Sequence, residues 1–195
     1  MKELQPGLWH WSARHPGWTE EDDLAGHGWG PDVSSYAFAL DGRLVLIDPV
    51  IPPGGTDKLI QGREAVAVLT CPWHARDALK LQLPLYSPAS EQDHVDSAIA
   101  YAAGDTLPVG IRALPGLEPV DLVLWIERHR ALVFGDTLVD LGNGLDLPDD
   151  WGPSGISHAA VRGQLRQCLE LPFELALPTH GSPAGRDAFQ RAVTD

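Results

Sequence analysis

The chain has 195 residues, of which 44% are hydrophobic and 21% charged, and its formal net charge at pH 7 is −13. This length and composition are typical of a soluble globular domain with a buried core, and so acidic a chain repels nucleic acid and anionic membrane surfaces. No segment approaches the roughly 20 apolar residues of a membrane span, the N-terminus lacks the apolar stretch of a secretion signal, and Cys71 and Cys168 form no disulfide pattern. We therefore expect a cytoplasmic protein with reduced thiols and with no nucleic-acid or membrane partner.

The first third of the chain predicts a β-hairpin after an irregular start. Residues 1–32 are rich in Trp, His, Gly and acidic residues and are predicted to be irregular. Residues 34–40 and 43–47 are apolar runs of strand length. Asp41-Gly42 lies between them and is the strongest short hairpin signal, so the two runs are predicted to pair.

The rest of the chain alternates between strand and helix patterns. The run AVAVLT at 65–70 has the continuous apolar character of a strand buried on both faces. Over 87–103, Val95, Ile99 and Ala102 fall on one face of a predicted helix. This order of elements predicts a layered α/β or α+β sandwich. The other predicted elements are strands at 83–86, 121–127, 131–134 and 173–177, helices at 56–63, 75–81, 156–171 and 183–193, and a long loop at 140–155.

Side chains that can bind a metal ion follow four of the apolar runs. In layered α/β folds, ligands bind beyond the carboxyl ends of the strands, so we expect these side chains to lie along one edge. Histidine nitrogen and carboxylate oxygen suit Zn²⁺ or Fe²⁺, and a site with an open position can hold a water molecule for hydrolysis. Asp48, which precedes Pro49, is expected to be structural, with its carboxylate accepting backbone N–H groups. The other candidates at the strand ends are Cys71, His74, Asp136 and His180.

Several local stretches and the order of the elements resemble the metallo-β-lactamase fold superfamily. LVLIDP matches the family's strand that ends in Asp, LVFGDT its strand with the metal-bridging Asp, and LPTHGSP its closing His-Gly before the last helix. AVLTCPWHARDA falls where the family has its HxHxDH signature. The resemblance, from about residue 33 onward, implies a four-layer αββα sandwich with two mixed β-sheets flanked by helices. The four stretches occupy residues 44–49, 132–137, 177–183 and 67–78.

The segment at the place of the HxHxDH signature departs from it. Cys71 stands at the place of the first His and Trp73 at the place of the second. The family's next His usually follows a Pro-Gly, and here Leu117 occupies that position. A two-metal centre is therefore not expected. We expect a single domain over residues 1–195, with the Trp-rich segment 1–32 ahead of the resemblance.

The resemblance implies a reduced set of site residues. Asp136 and His180 match metal ligands of the family, His74 lies between the expected ligand positions, and Asp77 takes the place of the signature's Asp. The implied set is His74, Asp136 and His180 as metal ligands, with Asp77 as a fourth ligand or as the catalytic base. The residues leave simpler alternatives open, because His74 can be a hydrogen-bonded residue near a helix start and Asp77 can be favoured there by the helix dipole alone.

Two hypotheses from different classes follow. In the first, the fold has lost most of its metal ligands and is a non-catalytic or weakly metal-binding domain for a small molecule. In the second, the protein is a mononuclear metal-dependent hydrolase of an ester, a thioester or an amide. The expected cofactor is one Zn²⁺ or Fe²⁺ ion, or none, and the oligomeric state is left open. The loss of several ligands favours the first hypothesis, because each ligand supplies a large share of the coordination energy.

Overall fold

The structure is a computed structural model that divides into two compact units, residues 1–101 and residues 102–195. Each unit has its own β-sheet and its own hydrophobic clusters. The prediction of one domain over residues 1–195 is not decided by this division and stays a prediction. The described residues are 1–21, 30–91, 95–148, 151 and 157–194.

The first unit is built on a seven-stranded mixed sheet, counted over its described residues. Its elements are β1 (Lys2–Gln5), β2 (Leu8–Arg14), β3 (Asp32–Leu40), β4 (Arg43–Ile47), α1 (Asp57–Ile60), β5 (Glu64–Val68), β6 (Leu85–Pro88) and β7 (Ile99–Tyr101). The strands lie side by side in chain order, antiparallel from β1 to β4 and parallel from β4 to β7. The parallel half places the carboxyl ends of β4, β5 and β6 at the same edge.

The predicted hairpin is confirmed. Strands β3 and β4 pair antiparallel, with Leu40 opposite Arg43. Asp41 and Gly42 connect them with φ of 52° and 78°, which is the left-handed conformation that a tight two-residue hairpin needs at both positions. The Asp-Gly pair thus fixes the register that buries Leu44 and Leu46 in one apolar cluster.

The prediction of an irregular N-terminus is wrong for the described residues, because β1 and β2 extend the sheet. Trp9 and Trp11 alternate with His10 along β2, which is the period of two that a strand requires. Trp11 is 3% exposed, belongs to the apolar cluster of Leu44, and donates from its Nε1 to the Val50 carbonyl at 2.7 Å. The alternation that marks this strand is carried by Trp and His side chains rather than by aliphatic ones. Residues 22–29 of this segment lie outside the described residues.

Two helix predictions in the first unit are wrong. The described part of the region 87–103, which leaves out residues 92–94, contains the end of β6 and the strand β7. Ile99, assigned to a buried helix face, is 50% exposed in β7. Pairing of β7 with β6 overrides the local helical spacing. The segment 75–81 is not an α-helix but two short 3₁₀ turns, Pro72–Ala75 and Ala78–Leu81. The helix predicted at 56–63 is confirmed as the shorter α1.

The second unit is built on a five-stranded sheet and a two-stranded hairpin, again counted over the described residues. Its elements are β8 (Arg112–Glu118), β9 (Asp121–Ile126), β10 (Ala131–Phe134), β11 (Val139–Asp140), β12 (Leu145–Asp146), α2 (His158–Leu165), β13 (Leu175–Pro178), β14 (Ala184–Gly185) and α3 (Arg186–Thr194). The order in the main sheet is β14-β13-β10-β9-β8, in which only β10 and β13 are parallel. Helices α2 and α3 cover its core through Val161, Leu165 and Phe189.

The sequence predictions for this unit are mostly confirmed. The strands predicted at 121–127, 131–134 and 173–177 correspond to β9, β10 and β13. The helix predicted at 156–171 is α2 continued by a 3₁₀ turn over Arg166–Glu170, and the helix predicted at 183–193 is α3. The predicted loop at 140–155 includes the hairpin of β11 and β12, while residues 149–150 and 152–156 lie outside the described part.

Over the described residues, the longest helices are far too short and too polar to cross a lipid bilayer.

Candidate functional site

The first unit gathers polar residues beyond the ends of β4 and β5. These strands are parallel neighbours, and Ile47 pairs with Val68 at their carboxyl ends. The residues that follow, Asp48 and Thr70, therefore come close together. Their meeting follows from the parallel register of two apolar strands.

The Asp48 carboxylate is the centre of a buried hydrogen-bond network. Its Oδ1 accepts from the Thr70 backbone N–H at 2.8 Å, and its Oδ2 accepts from the Thr70 hydroxyl at 2.5 Å. Nδ1 of His74 lies 3.0 Å from Oδ2 of Asp48 and 3.2 Å from Oγ1 of Thr70. Asp48 and Thr70 are 0% exposed and His74 is 4% exposed. The expectation that Asp48 fixes the turn through a backbone N–H is confirmed.

The backbone at Asp48 is held in an unusual conformation. Its φ is 43°, and Arg76 has a φ of 41°, so two non-glycine residues have a positive φ, which is uncommon for residues with a side chain. The Ser35 hydroxyl donates to the Asp48 carbonyl at 2.7 Å, and Nη1 of Arg76 donates to the same oxygen at 3.1 Å. Such conformations cost about 1–3 kcal/mol and persist where neighbouring bonds over-determine them. These bonds hold the turn that carries the carboxylate.

His74, a predicted metal ligand, lies in the 3₁₀ turn just after β5. The structure sets its Nδ1 against Asp48 rather than leaving the ring at a helix surface. Cys71 is fully buried beside it, and each residue offers a ligand atom within 4.8 Å of the other's. A thiol and an imidazole at this spacing can contact one ion, since both are common Zn²⁺ ligands.

Asp77, the predicted base or fourth ligand, is buried and already hydrogen-bonded. Its Oδ2 accepts from the Ile51 backbone N–H at 2.9 Å, and its Oδ1 lies 2.6 Å from Nζ of Lys80. The Asp77 N–H in turn donates to the Pro49 carbonyl at 3.1 Å. These bonds fasten the loop after β4 to the turn after β5. The role of Asp77 as a base or ligand stays a prediction.

A second group of polar side chains in the first unit lies on the neighbouring strands β2 and β3. Nε2 of His10 lies 2.9 Å from the Ser34 hydroxyl, and the His10 ring stacks on Tyr36 at 5.2 Å. Burial lowers the pKa of His10 to about 4, and the positive charges of the N-terminal amine and Lys2 act in the same direction. Burial also raises the pKa of the Tyr36 phenol. Both groups are therefore neutral at physiological pH.

The second unit brings Asp136 and His180 together. Strands β10 and β13 are parallel, with Phe134 opposite Pro178 at their carboxyl ends. Asp136 lies two residues beyond β10 and His180 lies two residues beyond β13, so the parallel register brings them together. Nε2 of His180 lies 3.4 Å from Oδ1 of Asp136, and their side chains are 9% and 13% exposed. The Thr179 hydroxyl is buried with no hydrogen-bond partner among the described residues.

A glycine turn holds His180 in place. Gly181 has a φ of 117°, and a Cβ atom there would lie 2.4 Å from the Asp140 carbonyl oxygen, which is too close for any other residue. The Asp140 N–H donates to the His180 carbonyl at 2.8 Å. Trp151 packs its ring edge-on against the imidazole of His180, with 5.0 Å between the ring centroids. The imidazole is thus oriented by backbone on one side and by an aromatic ring on another.

The spacing of Asp136 and His180 fits two ligands of a single metal ion. Ligand atoms about 2.0–2.2 Å from a tetrahedral Zn²⁺ ion are about 3.3–3.6 Å apart, and the observed separation is 3.4 Å. Carboxylate oxygen and imidazole nitrogen are donors that both Zn²⁺ and Fe²⁺ accept. Asp136 and His180 therefore fit a metal site in their chemistry and in their geometry.

Several residues at these strand ends were not foreseen from the sequence. The sequence did not predict the contact of His74 with Asp48, the packing of Trp151 on His180, or the support of the Asp48 turn by Ser35. The contact of Asp48 with Thr70 carries a recoverable signal, because the two residues follow neighbouring parallel strands, whereas the contact with His74 depends on the 3₁₀ turn after β5. Trp151 lies far in sequence from His180, so no local pattern reports that contact. Ser35 follows from the predicted hairpin, because the pairing of Tyr36 with Ile47 places Ser35 next to Asp48.

A pocket in the second unit offers limited room for a ligand. It lies beside Leu114 of β8 and Gln164 of α2 and has a volume of about 200 Å³, below the roughly 300–1,000 Å³ of typical ligand sites. Cys168 forms part of its wall, and burial raises the pKa of its thiol to about 11. That thiol stays protonated and unreactive at neutral pH.

The chain resembles solved structures of metallo-β-lactamases over nearly its whole length. No model of a protein family matches the sequence, and no curated protein matches it. TMB-1 matches with a TM-score of 0.68 and 16% identity, covering 98% of this chain and 94% of TMB-1. A metallo-β-lactamase from Erythrobacter litoralis matches with a TM-score of 0.69 and 16% identity, covering 98% of this chain and 89% of that protein. DIM-1 matches with a TM-score of 0.68 and 14% identity, covering 99% of this chain and 94% of DIM-1.

These likenesses are structural, since the identities lie between 14% and 16%. They confirm the fold expected from the stretches LVLIDP, LVFGDT and LPTHGSP. This chain has the metallo-β-lactamase fold.

Proposed function

We propose that this chain is a divergent metallo-β-lactamase-fold protein that has lost most of its metal ligands and serves as a small-molecule-binding domain. It would hold at most one divalent ion, Zn²⁺ or Fe²⁺, and hold it weakly. The proposed ligands are Asp136, His180 and His74, the last on the resemblance of residues 67–78 to the family's metal loop. The net charge of −13 favours a small molecule over a polyanion as the partner.

The observation that carries this proposal is the 3.4 Å between Oδ1 of Asp136 and Nε2 of His180. Two side chains 44 positions apart meet at the spacing of ligands on one ion. The glycine turn at Gly181 and the ring of Trp151 orient the imidazole before any ion binds. Preorganised ligands of this kind are how proteins support a metal site.

Weak rather than tight binding is proposed because positions that bear histidines in the family are apolar here. Leu117 is buried in the core of the second unit, and Trp73 is 39% exposed. Neither side chain can donate an electron pair to an ion as imidazole does. Three protein ligands suffice for one Zn²⁺ ion with an open position and cannot support two.

The test is metal content in protein purified without a chelator. We expect up to one Zn²⁺ or Fe²⁺ per wild-type chain after equilibration with the metal, with loss of binding in Asp136→Asn and in His180→Ala. His158→Ala, which changes a histidine at the start of α2 in the same unit, is the matched control and should keep the metal.

The same variants test His74 separately from the Asp136–His180 pair. Loss in His180→Ala together with retention in His74→Ala would remove His74 from the ligand set. Binding of added Zn²⁺, Mn²⁺ or Fe²⁺ that is equal in wild type and His180→Ala, or absent from both, would overturn the metal site.

A second candidate function is a mononuclear hydrolase of an ester, a thioester or an amide. The same Asp136–His180 pair favours it, because a divalent ion held there would supply Lewis acidity toward a carbonyl oxygen. Asp77 would then be the base, which requires its carboxylate to exchange the bonds it makes with Ile51 and Lys80.

Turnover assays separate the two candidates. Metal-loaded protein would be tested with a p-nitrophenyl ester, an acyl thioester and ceftazidime, a cyclic amide to which crystals of the structurally similar DIM-1 were exposed. Turnover that disappears in His180→Ala and falls in Asp77→Asn would establish the hydrolase. Metal binding without turnover of any of the three would leave the binding domain.

A further inference from the structure

We propose that Asp48 is a positioning residue that fixes the tautomer of His74, with the ring hydrogen on Nδ1 and the lone pair on Nε2. The inference rests on the proposed function in one respect, because it names the nitrogen through which His74 would act. It deepens that function by assigning a task to a carboxylate that is not itself a ligand.

Counting hydrogens in the network supports this tautomer. The Thr70 hydroxyl has one hydrogen, and its contact with Oδ2 of Asp48 at 2.5 Å is much shorter than its contact with Sγ of Cys71 at 3.9 Å. That hydrogen therefore lies on the Asp48 side, and toward His74 the hydroxyl can only accept. An ionised carboxylate has no hydrogen and also can only accept.

Both contacts of the ring nitrogen then require the same proton. Nδ1 of His74 lies 3.0 Å from Oδ2 of Asp48 and 3.2 Å from Oγ1 of Thr70, and both of those oxygens are acceptors toward it. Nδ1 must carry the hydrogen, since a bare nitrogen would face two electron-rich oxygens. In a neutral ring the lone pair is then on Nε2.

Burial makes this assignment strong. The side chains of Asp48 and His74 are 0% and 5% exposed, so water cannot replace the carboxylate as the acceptor. A hydrogen bond to an ionised acceptor in such surroundings is about twice as strong as one between neutral groups. The turn at Asp48, which has a positive φ, is held through its carbonyl by Ser35 and Arg76, and these bonds fix the position of the carboxylate facing His74.

The direct test is the ¹⁵N–¹H correlation spectrum of the histidine rings in metal-free, full-length protein at a pH where the rings are neutral. His74 is assigned by the signal that His74→Gln removes. We expect its Nδ1 to carry the proton and its Nε2 to show the downfield shift of an unprotonated ring nitrogen. A spectrum with the proton on Nε2, or with an average of both tautomers, would overturn the proposal without any variant of Asp48.

Two substitutions sharpen this test. In Asp48→Asn, the amide oxygen would keep the Thr70 N–H and the amide NH₂ would face Nδ1, so the His74 tautomer should reverse. Thr70→Val removes the hydroxyl and leaves the carboxylate, so the tautomer should be retained. Reversal in both variants, or in neither folded variant, would contradict a specific role of Asp48.

Metal affinity gives an independent readout. Loss of an outer carboxylate partner typically weakens metal binding by about 10–100-fold, and we expect this range for Asp48→Asn and a smaller loss for Thr70→Val. A wild-type tautomer as predicted, with no metal bound, would contradict the proposed function and leave the positioning role intact. Bound metal with the opposite tautomer would do the reverse.

Discussion

The two units present their candidate residues in different ways. In the first, Asp48 accepts three hydrogen bonds at 2.5–3.0 Å from Thr70 and His74, all inside the unit. In the second, Asp136 and His180 meet at 3.4 Å, a separation longer than the 2.7–2.9 Å of a charge-assisted hydrogen bond. The first cluster is joined by short hydrogen bonds, and the second pair has the spacing of groups that share an ion.

This difference indicates a structural role for Asp48 and a metal-binding role for Asp136. A carboxylate that completes a buried network stabilises the folded chain whether or not an ion is present. A carboxylate held at ligand distance from an imidazole contributes mainly when an ion binds between them. Mutation of Asp48 should therefore mainly lower the stability of the metal-free protein, whereas mutation of Asp136 should mainly weaken metal binding.

The largest expected effect comes from truncating the first carboxylate. Asp48→Ala leaves the Thr70 N–H, the Thr70 hydroxyl and Nδ1 of His74 without their acceptor, and we expect a loss of about 3–5 kcal/mol in the free energy of unfolding. Asp136→Ala in metal-free protein is the comparison variant and should cost less, because the Asp136–His180 separation of 3.4 Å is longer than the hydrogen bonds that Asp48 accepts. Urea denaturation measures the free energy of unfolding of both variants, and equal losses would contradict the structural role given to Asp48.

Gly181→Ala tests the turn that carries His180. The new Cβ would lie 2.4 Å from the Asp140 carbonyl oxygen at a φ of 117°, so we expect a loss of about 2–4 kcal/mol together with weakened metal binding. Gly163→Ala lies in α2 with open space around the site of the new Cβ, and it should be neutral or stabilising by up to about 1 kcal/mol. A Gly181→Ala protein of wild-type stability and affinity would contradict the role given to this turn.

Added Zn²⁺ should stabilise the wild type but should not stabilise variants that lack Asp136. At a free Zn²⁺ concentration about 100 times the Kd, linkage predicts about 2.7 kcal/mol of added stability. Asp136→Ala should show none of it when its stability with Zn²⁺ is compared with its own metal-free stability. Thermal unfolding with and without Zn²⁺ measures the increment, and an undiminished increment in Asp136→Ala would place the ion elsewhere.

The smallest effect is a pH dependence in the first unit. Burial lowers the pKa of His10 to about 4 from 6.5, so between these values the unfolded chain binds a proton that the folded chain does not. Stability is therefore unaffected by His10 above pH 6.5 and falls as the pH drops toward 4. In His10→Gln the decline of unfolding free energy between pH 6.5 and pH 4 should be shallower, and a decline as steep as that of the wild type would contradict this assignment.

The sequence predicted the parts of the fold that local chemistry determines. Asp41-Gly42 identified a hairpin because few residue pairs accept two left-handed conformations, and the apolar run at 131–134 has the length of a strand and follows a predicted turn. The helix expected over 87–103 failed because its spacing is also compatible with a strand when β6 offers a partner. Strand β2 was missed for a related reason, because the alternation of Trp and His does not by itself reveal that β3 offers a pairing partner.

The site was predictable to the extent that strand ends determine it. Asp136 and His180 follow adjacent parallel strands, so their meeting was implicit in two short apolar runs. The network of Asp48 and His74 was not, because it depends on a 3₁₀ turn in place of the expected helix. Whether Asp77 acts on a substrate depends on groups that no sequence pattern specifies.

The most direct measurement is a crystal structure of zinc-equilibrated protein with diffraction data collected on both sides of the zinc absorption edge. We expect an anomalous peak about 2.0–2.2 Å from an Asp136 carboxylate oxygen and from Nε2 of His180, with Asp48 still bound to Thr70 and His74. Ordered Asp136 and His180 side chains with no peak between them, in crystals grown with excess zinc, would contradict it.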